Sequence, residues 1–166
     1  IVPKNKKQKY SLLKKEKYKK LNYKTENKIA NDIKKIKFYI ISDYPFINFI
    51  GNLGNKLMES LFCSKPEIVN YFEFVHGFYQ ISLKDKDNSF YICLDSDLSE
   101  KMYNLVEKKY HKNIIKLNSK YDDDLKIIDY EITINYWIEK LIQKLNNNHK
   151  NWEGKDKQKI IYDINL

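Results

Sequence analysis

Lysine is the residue type in this chain with the clearest capacity for chemistry. All 31 strong cations are lysines, against 22 acids in 166 residues, for a net charge of +9. Nine of them, Lys4, Lys6, Lys7, Lys9, Lys14, Lys15, Lys17, Lys19 and Lys20, crowd the first twenty positions. An ammonium is a compact point charge, suited to neutralising phosphates without fixing their orientation. The pattern implies a polyanionic partner, either nucleic acid or an anionic surface, with affinity that falls steeply with salt. The plainer alternative is a solvated lysine coat.

The other reactive residue types are not arranged for catalysis. His76, His111 and His149 lie far apart, with no evident carboxylate partner. Asp122, Asp123 and Asp124 are contiguous, whereas a calcium loop interleaves its ligands. The glycines of "GNLG", Gly51 and Gly54, lack the Lys-Ser/Thr continuation of a phosphate loop. Cys63 and Cys93 sit in apolar runs with no metal or redox spacing and read as small buried hydrophobes. No Ser or Cys lies in a nucleophile motif. The sequence therefore implies binding rather than turnover: no catalytic residue, no metal ligand and no cofactor are expected.

Those residues must be held by a folded core. A hydrophobic share of 42% and an aromatic share of 14% suffice for one packed domain. "IKFYIIS", from Ile36 to Ser42, reads as a first strand. Asp43 and Pro45 then suit a helix start, and Phe46, Ile50, Leu53, Leu57 and Leu61 recur at helical spacing. Gly51 and Gly54 inside that helix suggest close packing on a sheet. In "EIVNYFEFVHGFYQISL" the apolar alternation runs on even positions (Ile68, Phe72, Phe74) and then on odd ones (Tyr79, Ile81, Leu83). The phase change predicts a long second strand bulged at Gly77, where an added side chain would be costly. "KDKDN" supplies a turn, and Phe90, Ile92 and Leu94 the third strand. Asp97 and Glu100 form a capping-box-like start to a second helix carrying Leu98, Met102, Leu105 and Val106, and Ile114 to Leu117 form a fourth strand.

The order is β-α-β-β-α-β, an α+β ferredoxin-like core over residues 34–120, with antiparallel strands and one open sheet face. Residues 1–33 are expected to be a basic extension that orders against a partner. Residues 121–166 are expected to be a helical extension. Its stripe, Ile134, Trp137, Ile138, Leu141, Ile142 and Leu145, is expected to dock on a neighbouring chain and to be dispensable for the core. No apolar stretch approaches a membrane span. Ile1 in place of Met implies a processed or trimmed chain.

Four stretches, "IKFYIISDYP", "GFYQISL", "FYICL" and "LSEKMYNLVEKKYHKNIIKL", are similar in order and spacing to the small-subunit ribosomal protein six family, of bacterial type and found also in organelle ribosomes. The resemblance covers residues 36–118. It implies a structural protein of an organellar small subunit, mitochondrial or else plastid, bound to ribosomal RNA and to the subunit's eighteenth protein. Where that family carries paired arginines, this chain has Phe78 and Tyr79. Phe78, Tyr79, Tyr91 and Trp137 are therefore expected at a protein partner, and Lys84 and Lys86 of the turn join the N-terminal lysines as RNA contacts. The alternatives are an RNA-recognition-motif-like module, echoed by "HGFYQISL", and a non-catalytic docking subunit of another organelle complex.

Overall fold

The computed structural model describes residues 21–43, 46–94, 100–101, 103–104, 113–121 and 123–145. Helix α1 (Tyr23–Asp32) starts at Asn22, whose side-chain oxygen accepts from the Thr25 N–H at 2.8 Å. It feeds β1 (Lys37–Ser42), a run of β-branched and aromatic residues. Helix α2 (Ile47–Leu61) follows and ends with Phe62 in the left-handed conformation, at φ 53 and ψ 39. Then come β2 (Glu67–Asn70), a short α3 (Tyr71–Glu73), a π-helical turn (Phe74–Phe78) and α4 (Tyr79–Lys84). Strands β3 (Ser89–Leu94) and β4 (Ile114–Leu117) and the long helix α5 (Asp123–Leu145) complete the order.

The four strands form one sheet in the order β2-β1-β3-β4, and every pair is parallel. This overturns the ferredoxin-like expectation, and the cause is local. The long bulged strand does not exist: β2 stops at Asn70, and the chain from there is helical up to Lys84. The Asn70 side chain accepts from the Glu73 N–H at 2.8 Å, while the Glu73 carboxylate accepts from the Asn70 N–H at 3.1 Å. That reciprocal capping box starts a helix where a strand was expected. With a helix in place of a hairpin, β3 returns parallel instead of antiparallel.

The one-residue phase change at Gly77 is real but belongs to a different structure. A π turn inserts one residue into a helix, as a bulge inserts one into a strand. Tyr71, Phe74 and Ser82 thereby stay on the buried side, while Phe72, Val75, Ile81 and Leu83 are exposed. Gly77 is itself exposed, and a Cβ there would meet nothing within 4 Å. Gly54 is the glycine that packing requires: a Cβ would come within 3.1 Å of Ile68 Cδ1, where α2 lies on β2.

Strand alternation sorts the core into two faces. Phe38, Ile40, Phe90, Ile92, Leu94 and Leu117 face a layer made of α1, α2 and α5. Tyr39, Ile41, Val69, Tyr91 and Cys93 face the helical residues 71–84, with Tyr103 and Ile114 packed alongside. The result is a three-layer α/β/α domain. The core takes side chains from both expected extensions, including Ile29 of α1 and Ile134 of α5. The expectation that the α5 stripe docks elsewhere does not hold. Ile134, Trp137, Ile138 and Leu141 are buried against the chain's own sheet, an ion pair of Lys56 with Glu131 joins α2 to α5, and Lys144 joins α5 to Glu26 of α1 at 3.0 Å.

Two outcomes test this account. Asn70→Ala should cost about 1–2 kcal/mol in chemical denaturation through loss of the cap, while Gly77→Ala should be neutral or stabilise by up to about 1 kcal/mol. A strand bulge at Gly77 would reverse the second sign. Trp137→Ala should cost about 3–5 kcal/mol in the isolated chain, as for a large core side chain, where a partner-facing tryptophan would cost almost nothing.

Candidate functional site at the carboxyl edge of the sheet

In an open parallel sheet, ligands gather beyond the carboxyl ends of the strands, where two neighbouring connections leave in opposite directions. Here that place lies between β1 and β3. The chain leaves β1 through α2 on one face, and Tyr103, on the route from β3 to β4, packs on the other. The sheet order 2-1-3-4 puts β1 and β3 side by side, in register from Lys37 with Ser89 to Ile41 with Cys93.

Three strand ends meet at this edge. Ser42 closes β1, is buried, and its hydroxyl donates to the Asp43 carbonyl at 3.3 Å. Asp43 follows, only partly exposed, and burial pushes its carboxyl above the usual carboxylate range. Its side chain does not cap α2, contrary to expectation. The N-cap is Phe46, which offers no side-chain acceptor, so no side-chain cap satisfies the first turn of α2 there. Asn70, at the end of β2, is committed to its capping box with Glu73. The Tyr71 hydroxyl crosses beneath β1 and donates to the Leu94 carbonyl, the last of β3, at 3.1 Å. Tyr71 thus ties the exits of β2 and β3 together on one face of the sheet.

Beside β3 stands Lys116 of β4, paired in register with Cys93. Its Nζ lies 3.4 Å from Glu100 Oε1 and 5.3 Å from the Tyr103 ring centre. The Cys93 thiol is fully buried, and burial pushes it up to about 12; Cys63 is pushed up to about 11 for the same reason. Neither thiol is a nucleophile at neutral pH, in agreement with their reading as buried hydrophobes. Among the described residues no group of three His, Cys, Asp or Glu side chains could hold a metal ion, and no helix is long and apolar enough to cross a membrane.

The residues singled out from sequence are not brought together here. Lys4, Lys6, Lys7, Lys9, Lys14, Lys15, Lys17, Lys19 and Lys20 lie outside the described residues, as do Pro45, Asp97 and its expected cap, His111 and His149. Lys84 and Lys86 are exposed at the end of α4 and in the following turn, at the amino edge of the sheet, opposite the crevice. Tyr91 is enclosed, its ring stacked on Tyr39 at 5.3 Å and edge-on to Phe74 at 5.8 Å, and Trp137 lies in the other core layer. These two side chains pack inside their own domain instead of meeting a partner. Phe78 and Tyr79 are half-buried against the same aromatic cluster. Two groups escaped the sequence reading. Asp43 was assigned to capping, and the Lys that interrupts the apolar run of β4 was the visible sign of Lys116.

No family model matches the chain, and no curated protein matches it. Among solved structures the chain is similar to a provisionally named sugar binding protein from Salmonella typhimurium LT2. The TM-score is 0.52 and the identity 15%, over 70% of this chain and 40% of that one. It also aligns with a provisionally named sugar-phosphate isomerase from Listeria monocytogenes, with a TM-score of 0.47 and 13% identity, over 85% and 84% of the two chains. The chain thus spans well under half of the first neighbour's length. The likeness at 0.52 concerns the fold alone. The ribosomal reading, with ribosomal RNA and a neighbouring subunit protein as partners, is overturned together with the antiparallel core it depended on. The RNA-recognition-motif-like module and the ferredoxin-like docking subunit need that same core and fall with it.

The raised carboxyl of Asp43 has a measurable consequence. A carboxyl whose folded-state pKa lies above its unfolded value stabilises below the unfolded pKa, near 3.9 by usual reference. It loses that contribution as pH rises through the folded value. Asp43→Asn cannot ionise, so it should match the parent in stability at about pH 3 and exceed it near pH 7. Melting curves across this range should show the gap opening with pH, by about 2–4 °C for each kcal/mol of relief. A gap that closes as pH rises would mean that Asp43 is stabilised as a carboxylate.

Proposed function

We propose that this chain binds a small phosphorylated sugar in the crevice beyond β1 and β3, and that its role is recognition rather than turnover. The observation that carries the reading is the strand order 2-1-3-4, which sets β1 beside β3 at the position where parallel sheets bind ligands, with Asp43 just past the end of β1. The α2 N-terminus, where no side chain supplies a cap, adds oriented N–H groups and a partial positive charge at the same edge. Sugar hydroxyls pair well with a carboxylate and with backbone groups, and phosphate pairs with helix N–H groups. The provisional name of the Salmonella neighbour, a sugar binding protein, suggests the same class of small molecule. The Asp43 carboxylate accepts a hydrogen bond from a sugar hydroxyl in this scheme.

Titration with glucose 6-phosphate, glucose and inorganic phosphate, followed by calorimetry and thermal shift, tests the reading. The phosphorylated sugar should bind more tightly than either fragment, and at about 100 times its Kd it should add about 2.7 kcal/mol of stability. Asp43→Asn should weaken the sugar phosphate by about tenfold, the loss of one charge-assisted hydrogen bond. No binding of any phosphorylated sugar at millimolar concentration would overturn the proposal, as would binding that leaves the amides of residues 42–43 and 46–48 unperturbed.

A further inference from the structure

Apolar side chains scattered singly over a surface need no explanation, but here they are clustered. Among the described residues the large hydrophobic side chains left exposed are Tyr23, Phe62, Phe72, Val75, Ile81 and Leu83. Four of the six lie on the helical residues 71–84, with Phe72, at 61% exposure, the most open of them. The other side of the same segment is in the core, where Tyr71, Phe74 and Ser82 are buried.

The helical repeat sorts the exposed four. Phe72 and Val75 are three residues apart, close to one turn. Val75 and Leu83 are eight residues apart, one of which the π turn inserts, so they stand about two turns apart. Phe72, Val75 and Leu83 therefore share one flank, with the half-buried Tyr79 between the last two, while Ile81 falls outside it. The stripe is close to symmetric about Gly77 and Phe78: Phe72 and Leu83 are its ends, Val75 and Tyr79 its middle. A charge follows each end. Glu73 is exposed in the first turn, and Lys84 is exposed in the last.

We propose that this flank is the interface of a reversible homodimer, in which residues 71–84 of two copies pack antiparallel about a two-fold axis. Phe72 of each copy then meets Leu83 of the other, and Val75 meets Tyr79, the self-complementary pattern that a two-fold axis requires. The same arrangement sets Lys84 of each copy beside Glu73 of the other, whereas a parallel pair would set like charges together. A second copy thus matches both ends of the flank, and a partner of a single sign would meet its own charge at one of them. The bulk charge of the chain does not oppose the pairing. Nine lysines and Glu16 within the first twenty positions account for +8 of the net +9, which leaves +1 for the other 146 residues. A helix pair of this length is small beside the about 1,600 Å² of a standard interface, so the dimer dissociates on dilution.

Sedimentation equilibrium on the full chain tests the pairing. The parent should pass from monomer to dimer between about 1 μM and 1 mM. Phe72→Glu and Leu83→Glu should each weaken the dimer by about a hundredfold, because the two-fold axis counts each change twice. Neither should lower the melting temperature of the monomer, since both side chains are exposed. Orientation is read by cross-linking: a mixture of Phe72→Cys and Leu83→Cys chains should form a disulfide dimer in higher yield than either chain alone, the native Cys63 and Cys93 being buried. A parent that stays monomeric to 1 mM would overturn the proposal, as would a dimer that neither Glu variant weakens. Cross-linking strongest in Phe72→Cys alone would overturn the antiparallel arrangement. A monomeric parent destabilised by both Glu variants would assign the stripe to the chain's own residues instead of a second copy.

Discussion

The topology of this chain depends on a pair of hydrogen bonds between Asn70 and Glu73. The asparagine oxygen takes the Glu73 N–H, and the glutamate returns the favour to the Asn70 N–H. Together they satisfy two of the donors that a helix start would otherwise leave orphaned. The chain therefore turns out of the sheet after four strand residues. Everything downstream follows from that exit. The helical residues 71–84 cover one face, Ser89 starts a strand in the same direction as β1, and the sheet becomes parallel throughout. Parallel strands need helical cover on both faces, and α1, α2 and α5 supply the other layer.

The parallel arrangement also creates the candidate site. An antiparallel sheet of the same strands would scatter their carboxyl ends over both edges. Here Ser42, Asn70, Leu94 and Leu117 all finish at one edge, and β1 and β3 stand side by side where parallel sheets place their ligands. Tyr71 belongs to both stories. It is the first residue of the capped helix, and its hydroxyl holds the end of β3 through the Leu94 carbonyl. The cap that sets the topology thus also fixes one wall of the site.

Charge is distributed in keeping with that division of labour. Lys56 with Glu131, and Lys144 with Glu26, join helices within the layer on one face and act as staples. Asp43 and Lys116 stand at the carboxyl edge, and burial disfavours the charged form of the Asp43 carboxyl. A carboxyl disfavoured by burial at the edge where parallel sheets gather ligands is a candidate site group.

The sequence by itself determined more of the secondary structure than of the fold. β1, α2, β3, β4 and α5 were legible, because each has an uninterrupted period of two or of 3.6 that no neighbour alters. The burial of Cys63 and Cys93 was legible from the apolar runs around them, whereas the α5 stripe, read as docking on a neighbouring chain, lies with Ile134, Trp137, Ile138 and Leu141 in this domain's own core. Residues 71–84 were not. The π turn around Gly77 inserts one residue, and a helical stripe interrupted in that way reads as an alternating strand with a phase slip. The signal that could have separated the two was Asn-x-x-Glu at Asn70 and Glu73. Strand direction, and with it the site, was decided only in three dimensions. A period of two is the same in parallel and antiparallel sheets, so alternation does not record which edge a strand's end will reach. Asp43 and Lys116 are 73 positions apart in the chain, and only the parallel stacking of β1, β3 and β4 puts them on one edge.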